Sequence, residues 1–324
     1  MLVLHVGSNG DFITITEALQ AVPYHTKATL HIAEGIYEEK IFCEKKNITL
    51  IGAGMNKTII KWNDYAFKAH PDGRKYGTFR SYTAFFAGRV VTVKDLSILN
   101  TSGDNKVAGQ AIAAYVDAEV AHFANVQIES YQDTLFCAPL PDQEREIGGF
   151  LGPRVHTPRH FSFQFYHHCK IAGNVDFIFG GGDVLFHECE IISKSLEPTS
   201  IGYVAAPSGK KERAGFVFTK CQFSAIDCEK GSVYLARPWR KEGKMTLLNC
   251  YLDTHIHEAG WSAWNPNDSF ITNACATFIE HESYGPGAKP PEKRAPWAKL
   301  LDAQGSVELN DRIGYAAEAW GINE

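Results

Sequence analysis

The sequence predicts an all-β chain wound into one solenoid, a parallel β-helix, on two observations. Short segments rich in Val, Ile, Phe and Thr recur along the 324 residues, separated by Asn, Gly, Asp and Ser. Several of these segments also superpose through a weak internal repeat, and self-similarity at periods of roughly 20 to 50 residues is the mark of stacked coils.

The strand segments expected are Asn47 to Gly52, Val91 to Leu99, Val120 to Ile128, Asp183 to Ile192, Gly215 to Phe223 and Lys244 to Leu252. The repeat is a small or apolar residue followed two positions later by a larger apolar one: Leu96/Ile98, Val126/Ile128, Cys169/Ile171, Cys189/Ile191, Cys221/Phe223 and Cys250/Leu252. Its successive first members lie 30, 43, 20, 32 and 29 residues apart. Strand alternation puts both members of a pair on one face. The four cysteines are therefore expected inside consecutive coils, as small polarizable core filler in place of disulfide or metal ligands.

Around the strands, Thr14 to Val22 carries Ile15, Ala18, Leu19 and Val22 at helical spacing behind a threonine N-cap. A short amphipathic helix there would plug the open end of the solenoid. From Tyr284 the run Gly-Pro-Gly-Ala-Lys-Pro-Pro ends the strand pattern, and 284–324 is expected as a helix-and-loop tail packed on the solenoid, within one domain spanning 1–324. Residues 138–159 are too rich in Pro, Gly and charge for a strand and are expected as a long loop excursion beside the active site.

Composition excludes several classes of function. With a formal charge of −5 and one short basic cluster at Lys210, Lys211 and Arg213, the chain lacks the cationic excess that binding nucleic acid needs. No apolar run approaches the roughly 20 residues that cross a bilayer, so no membrane partner is expected. The start at Met1 has no charged, then apolar, export signal, and the expectation from it is a cytoplasmic location, or secretion if a leader was trimmed; separately, the chain is expected to be a monomer.

Two acidic residues sit in apolar or aromatic surroundings: Asp133 in Tyr131-Gln-Asp-Thr-Leu-Phe136, and Asp176 in Gly173-Asn-Val-Asp-Phe-Ile-Phe-Gly180. A carboxylate in such a place is either paired or raised in pKa. They are 43 residues apart, and removing the 138–159 excursion leaves about one coil, so they can stack on neighbouring rungs. Close carboxylates in different environments form acid/base pairs, although two unrelated buried aspartates held by turn amides would read the same way. Arg237, in Leu235-Ala-Arg-Pro-Trp239, can hold a carboxylate bidentately, and Trp239 offers a face for a sugar ring. Gln110 and Gln132 are 22 residues apart, again about one coil, and their amides could donate to a developing oxyanion.

Together these pieces resemble the pectin methylesterase (pectinesterase) family. Its signatures stand here, in order, as Gly35-Ile-Tyr-Glu-Glu39, Gly109-Gln-Ala-Ile-Ala113, Tyr131-Gln-Asp-Thr-Leu135, Asp176-Phe-Ile-Phe-Gly180 and Leu235-Ala-Arg-Pro-Trp239, flanked by Gly10-Asp-Phe12 and Gly285-Pro-Gly-Ala288. The resemblance implies a single-domain right-handed parallel β-helix with no metal or organic cofactor. It implies Asp176 as nucleophile, Asp133 as acid/base, Gln132 and Gln110 as oxyanion donors and Arg237 as the partner holding Asp176 at a low pKa. Trp239, Thr83, Phe177 and Tyr131 would contact the substrate, pectin or a methylated oligogalacturonate. Ala236 departs from the pattern, standing where a glycine is common, and the excursion departs more, since it would reshape one end of the cleft.

Two rival readings stand beside the esterase. Paired carboxylates on a β-helix also suit a glycosidase or lyase. A silent β-helix that only binds polysaccharide would rely on Trp239, Trp261 and Trp264. Among weaker signals, Ile51-Gly-Ala-Gly54 reads as a turn, and His167, His168, His255 and His257 read as exposed strand-end histidines more readily than as metal ligands.

Overall fold

A computed structural model describes residues 1–195, 197, 200–265 and 276–300. Three parallel sheets enclose one core, giving the right-handed parallel β-helix expected. The first sheet stacks Leu2–Val6, Lys27–Ile32, Asn47–Ile51, the middles of Ala84–Asn100 and Ala114–Glu129, then Phe163–His167, Asp183–His187, Phe216–Thr219, Lys244–Leu248 and Thr277–His281. The second runs from Gly35–Glu38 and Thr58–Trp62 through Lys170–Gly173, Glu190–Lys194 and Gln222–Ile226 to Tyr251–Leu252. The third holds Ile41–Cys43, the beginnings of the two long strands, Leu135–Cys137, Val175–Gly180, Gly202–Pro207 and Val233–Ala236.

Several segments read as single strands turn a corner midway. Asp95, Asn125, His168, Glu188, Lys220 and Asn249 all have φ between 50° and 55°, so each redirects the chain from the first sheet to the second. Asp183 to Ile192 is consequently two strands, and so are the segments from 215 and 244. The repeat legible in the sequence is this corner, because Leu96, Val126, Cys169, Cys189, Cys221 and Cys250 each follow the left-handed residue and point into the core. The cysteine thiols fit as expected: Cys169, Cys189, Cys221 and Cys250 are buried and unpaired, and each Sγ lies 3.3–3.5 Å from a carbonyl of the preceding coil.

The N-terminal plug forms as helix Ile15–Ala21. Thr14 and Glu17 make a reciprocal capping box, while Glu39 accepts hydrogen bonds from the amides of Ile15 (2.9 Å) and Thr16 (2.8 Å). The Gly35-to-Glu39 motif therefore serves the end cap of the solenoid. At the other end, Ala288, Trp297 and Ala298 pack on the core, and buried Arg294 donates to Glu280 (2.8 Å) and to carbonyls of Glu258 and Gly287. The rest of the expected tail, 301–324, lies outside the described residues.

The excursion leaves the third sheet after Cys137 and returns at Phe163. Outside the solenoid, Phe79, Phe85, Tyr115, Phe136, Phe150 and Phe179 form a second aromatic cluster, into which the excursion inserts Phe150. Arg154 fastens its far end by donating to the buried carboxylate of Asp117.

Candidate active site

The two aspartates occupy one register position on adjacent coils. Leu135 pairs with Ile178, and each aspartate stands two residues earlier, Asp133 in the turn before its strand and Asp176 within Val175–Gly180. Both are left-handed corner residues, φ 61° and 48°, and the Asp133 amide donates to the Val175 carbonyl at 3.1 Å. The corner lifts each carboxylate out of the core face while keeping it buried, 9 % and 5 % exposed. Gly180 closes the second motif because its φ of 129° brings a would-be Cβ within 2.0 Å of the Cys137 carbonyl oxygen.

Arg237 reaches Asp176 from the third-sheet edge and binds it bidentately, Nε to Oδ1 at 2.9 Å and Nη2 to Oδ2 at 2.7 Å. The guanidinium also lies over two aromatic rings, 3.9 Å from the Tyr203 ring centre and 4.6 Å from that of Trp264. Gln110 and Gln132 pair on successive coils beside the carboxylates. Asn105 Nδ2 lies 3.5 Å from Gln132 Oε1, and Asn174 Nδ2 donates to Asn105 Oδ1 at 3.0 Å, a relay that turns the Gln132 NH2 toward the cleft.

A cleft of about 280 Å³ contains Gln110, Gln132, Asp133, Asp176, Arg237 and Trp239 together. Burial drives the Asp133 carboxyl well above its ordinary value, and the charge of Asp176 adds to the shift. Asp176 is raised too: burial outweighs the opposing pull of Arg237, which corrects the expectation of a lowered value. The pair still titrates apart, because the guanidinium restrains Asp176 through direct hydrogen bonds and reaches Asp133 only at longer range.

Three expected substrate contacts do not face this cleft. Phe177 is fully buried inside the solenoid, because the left-handed Asp176 and a register shift between Val175 and Ile178 turn both Phe177 and Ile178 inward and Phe179 outward. Thr83 is fully buried, and its hydroxyl donates to the Leu99 carbonyl at 2.9 Å. Tyr131 lies under Lys194, whose ammonium is 4.0 Å from its ring centre. In their place the cleft is lined by Phe79, Phe179, Trp264 and, from the excursion, Arg145 and Phe150. Phe179 stood inside a quoted motif, but Phe79, on the short turn Thr78–Arg80, and Phe150, on the folded excursion, carry no local signal that points to the site. His255 is buried at 1 %, in place of the exposed strand-end histidine expected, and Trp261, which the silent-binder reading would use, is a core residue at 2 % exposure.

Fold and site define a parallel β-helical protein with a cleft built on a pair of buried carboxylates and a guanidinium. The chain belongs to the pectinesterase family, whose model matches residues 2–142 and 155–311. It is 33% identical over 291 residues to the pectinesterase/pectinesterase inhibitor PPE8B of Prunus persica, covering 86% of this chain and 49% of that protein. Pectinesterase 31 of Arabidopsis thaliana is 29% identical over 317 residues, 95% of this chain and 87% of that one. Among solved structures, pectin methylesterase from carrot superposes with a TM-score of 0.77 at 26% identity, over 94% of this chain and 89% of that one. The chain spans about half the length of the peach relative and of several similar Arabidopsis proteins. The family match breaks at 143–154, within the excursion that supplies Arg145 and Phe150.

Proposed function

We propose that the chain is a pectin methylesterase that works through an aspartyl acyl-enzyme. The observation that carries this reading is the shared cleft in which Arg237 grips Asp176 while Asp133 stands one coil earlier with a strongly raised pKa.

An ionised Asp176 attacks the C6 carbonyl carbon of a methyl-esterified galacturonate, and the carbonyl π electrons move onto oxygen. Gln110 and Gln132 amides donate to that oxyanion. As the tetrahedral species collapses, the C6–OCH3 bond breaks and protonated Asp133 gives its proton to the departing oxygen, releasing methanol. The resulting anhydride is hydrolysed by a water that Asp133, now a carboxylate, deprotonates. That step restores Asp176 and leaves a free galacturonate. The aromatic surfaces of Trp239, Phe179 and Phe150 supply faces for neighbouring sugar rings.

The test is incubation with methyl-esterified oligogalacturonates of graded length and with intact pectin. Methanol release without new reducing ends or an unsaturated, ultraviolet-absorbing product supports the esterase. Chain cleavage in place of methanol would establish the glycosidase or lyase reading, and binding without turnover would establish the silent binder.

A further inference from the structure

The corner between the first and second sheets carries a second cluster of chemistry, on a different edge of the solenoid from the cleft. His167 pairs in register with His187 of the next coil, and their rings lie 5.6 Å apart with an interplanar angle of 18°. The next residue in each coil, His168 and Glu188, is the left-handed corner residue, with φ of 50° in both. The dipeptides His167-His168 and His187-Glu188 therefore superpose one coil apart, so four potential donors meet at one point of the edge. His168 Nε2 is 3.5 Å from Glu188 Oε2, and His187 Nε2 is 3.7 Å from Glu188 Oε1. One ligand atom each from His167, His187 and Glu188 falls within 4.8 Å of the others. His187 Nδ1 is buried and has no hydrogen-bond partner among the described residues.

We propose that His167, His187 and Glu188, with His168 beside them, bind a divalent transition metal ion of the Zn2+ class. Imidazole nitrogens with one carboxylate match the donor preference of Zn2+, Ni2+, Cu2+ and Co2+, whereas Mg2+ and Ca2+ select oxygen. Donors on a tetrahedral ion with bonds of about 2.0–2.2 Å sit roughly 3.4 Å from each other, so small side-chain rotations bring this set to coordinating distance. Because the ligands come from two coils, the ion would clip one coil to the next. The role is structural, so ester hydrolysis proceeds without it.

Full-length protein stripped with a chelator and titrated with ZnCl2 by calorimetry tests this directly. The expected result is a single-site isotherm, a rise in thermal midpoint of several degrees on adding Zn2+, and no comparable response to MgCl2. His187→Gln should remove both responses, and Glu188→Gln should weaken binding at least tenfold, with the metal-free variants melting where the metal-free parent does. No heat with Zn2+, equal affinity in a His167→Gln/His187→Gln double variant, or Mg2+ binding as tight as Zn2+ would each overturn the site. A metal-free parent that lost its hydrolytic activity would overturn the structural role.

Discussion

Arg237 and Asp176 meet through two parallel hydrogen bonds of 2.9 and 2.7 Å, from a side chain 61 residues further along the chain. This contact separates the roles of two otherwise similar carboxylates. Burial raises both, and the guanidinium restrains Asp176 more strongly than Asp133. On the proposed mechanism the active form has Asp176 ionised and Asp133 protonated, so activity rises with pH as Asp176 deprotonates and falls as Asp133 does.

Replacing Arg237 by Lys keeps a positive charge but loses the planar two-point grip. The expected loss in kcat/KM is on the order of 100-fold. The acid limb of the pH–rate profile should also move to higher pH, because Asp176 loses stabilisation of its charged form. A pH profile of methanol release with an unmoved acid limb would show that Arg237 does not set the ionisation of Asp176.

Asp133 should make the fold sensitive to alkali. Its pKa is raised in the folded state, so its neutral form contributes stability at low pH that is lost as pH rises through the folded value. Asp133→Asn cannot ionise. Its thermal midpoint should match the parent in acid and exceed it increasingly toward alkaline pH, while methanol release is abolished. Melting curves from acid to alkaline pH that run parallel for both proteins would contradict the buried, raised carboxyl.

Much of this was legible in the sequence because a β-helix writes its stacking into local spacing. Asp133 and Asp176 lie in one register once the excursion is subtracted, and the cysteine repeat marks a real corner of each coil. What stayed hidden depends on side-chain direction. Phe177 and Phe179 alternate identically on paper, yet the left-handed Asp176 and the register shift after Val175 send them to opposite sides. Phe150 reaches the cleft through a fold-back of 138–159 and Phe79 from the turn Thr78–Arg80, neither of which a period encodes, and the ionisation of Asp176 depends on how completely the site is buried.

Asn105 should act as a positioning residue. It links Asn174 to the Gln132 carboxamide, fixing which end of that amide faces the cleft. Asn105→Ala is expected to lower kcat on the order of tenfold with little change in KM, since an oxyanion donor acts in the transition state. A matching change in KM with unaltered kcat would assign Asn105 to substrate binding instead.

Phe150 anchors the excursion, with its ring 5.7 Å from Phe79 and 6.2 Å from Trp239. Truncation to Ala should cost about 3 kcal/mol of local packing. Limited proteolysis should then cut within 143–154 at protease levels that leave the parent intact, and KM for long oligogalacturonates should rise more than for short ones. A variant as resistant as the parent would mean that other contacts, such as Arg154 with Asp117, hold the segment alone.

The central claim rests on Asp176 as the nucleophile, and Asp176→Asn tests it most directly. The amide has nearly the shape of the carboxylate, so a folded variant with the parent's circular dichroism is expected. Methanol release from a methylated oligogalacturonate should fall by at least about 1,000-fold, to the level of a protein-free control. Turnover within a few-fold of the parent would contradict the account.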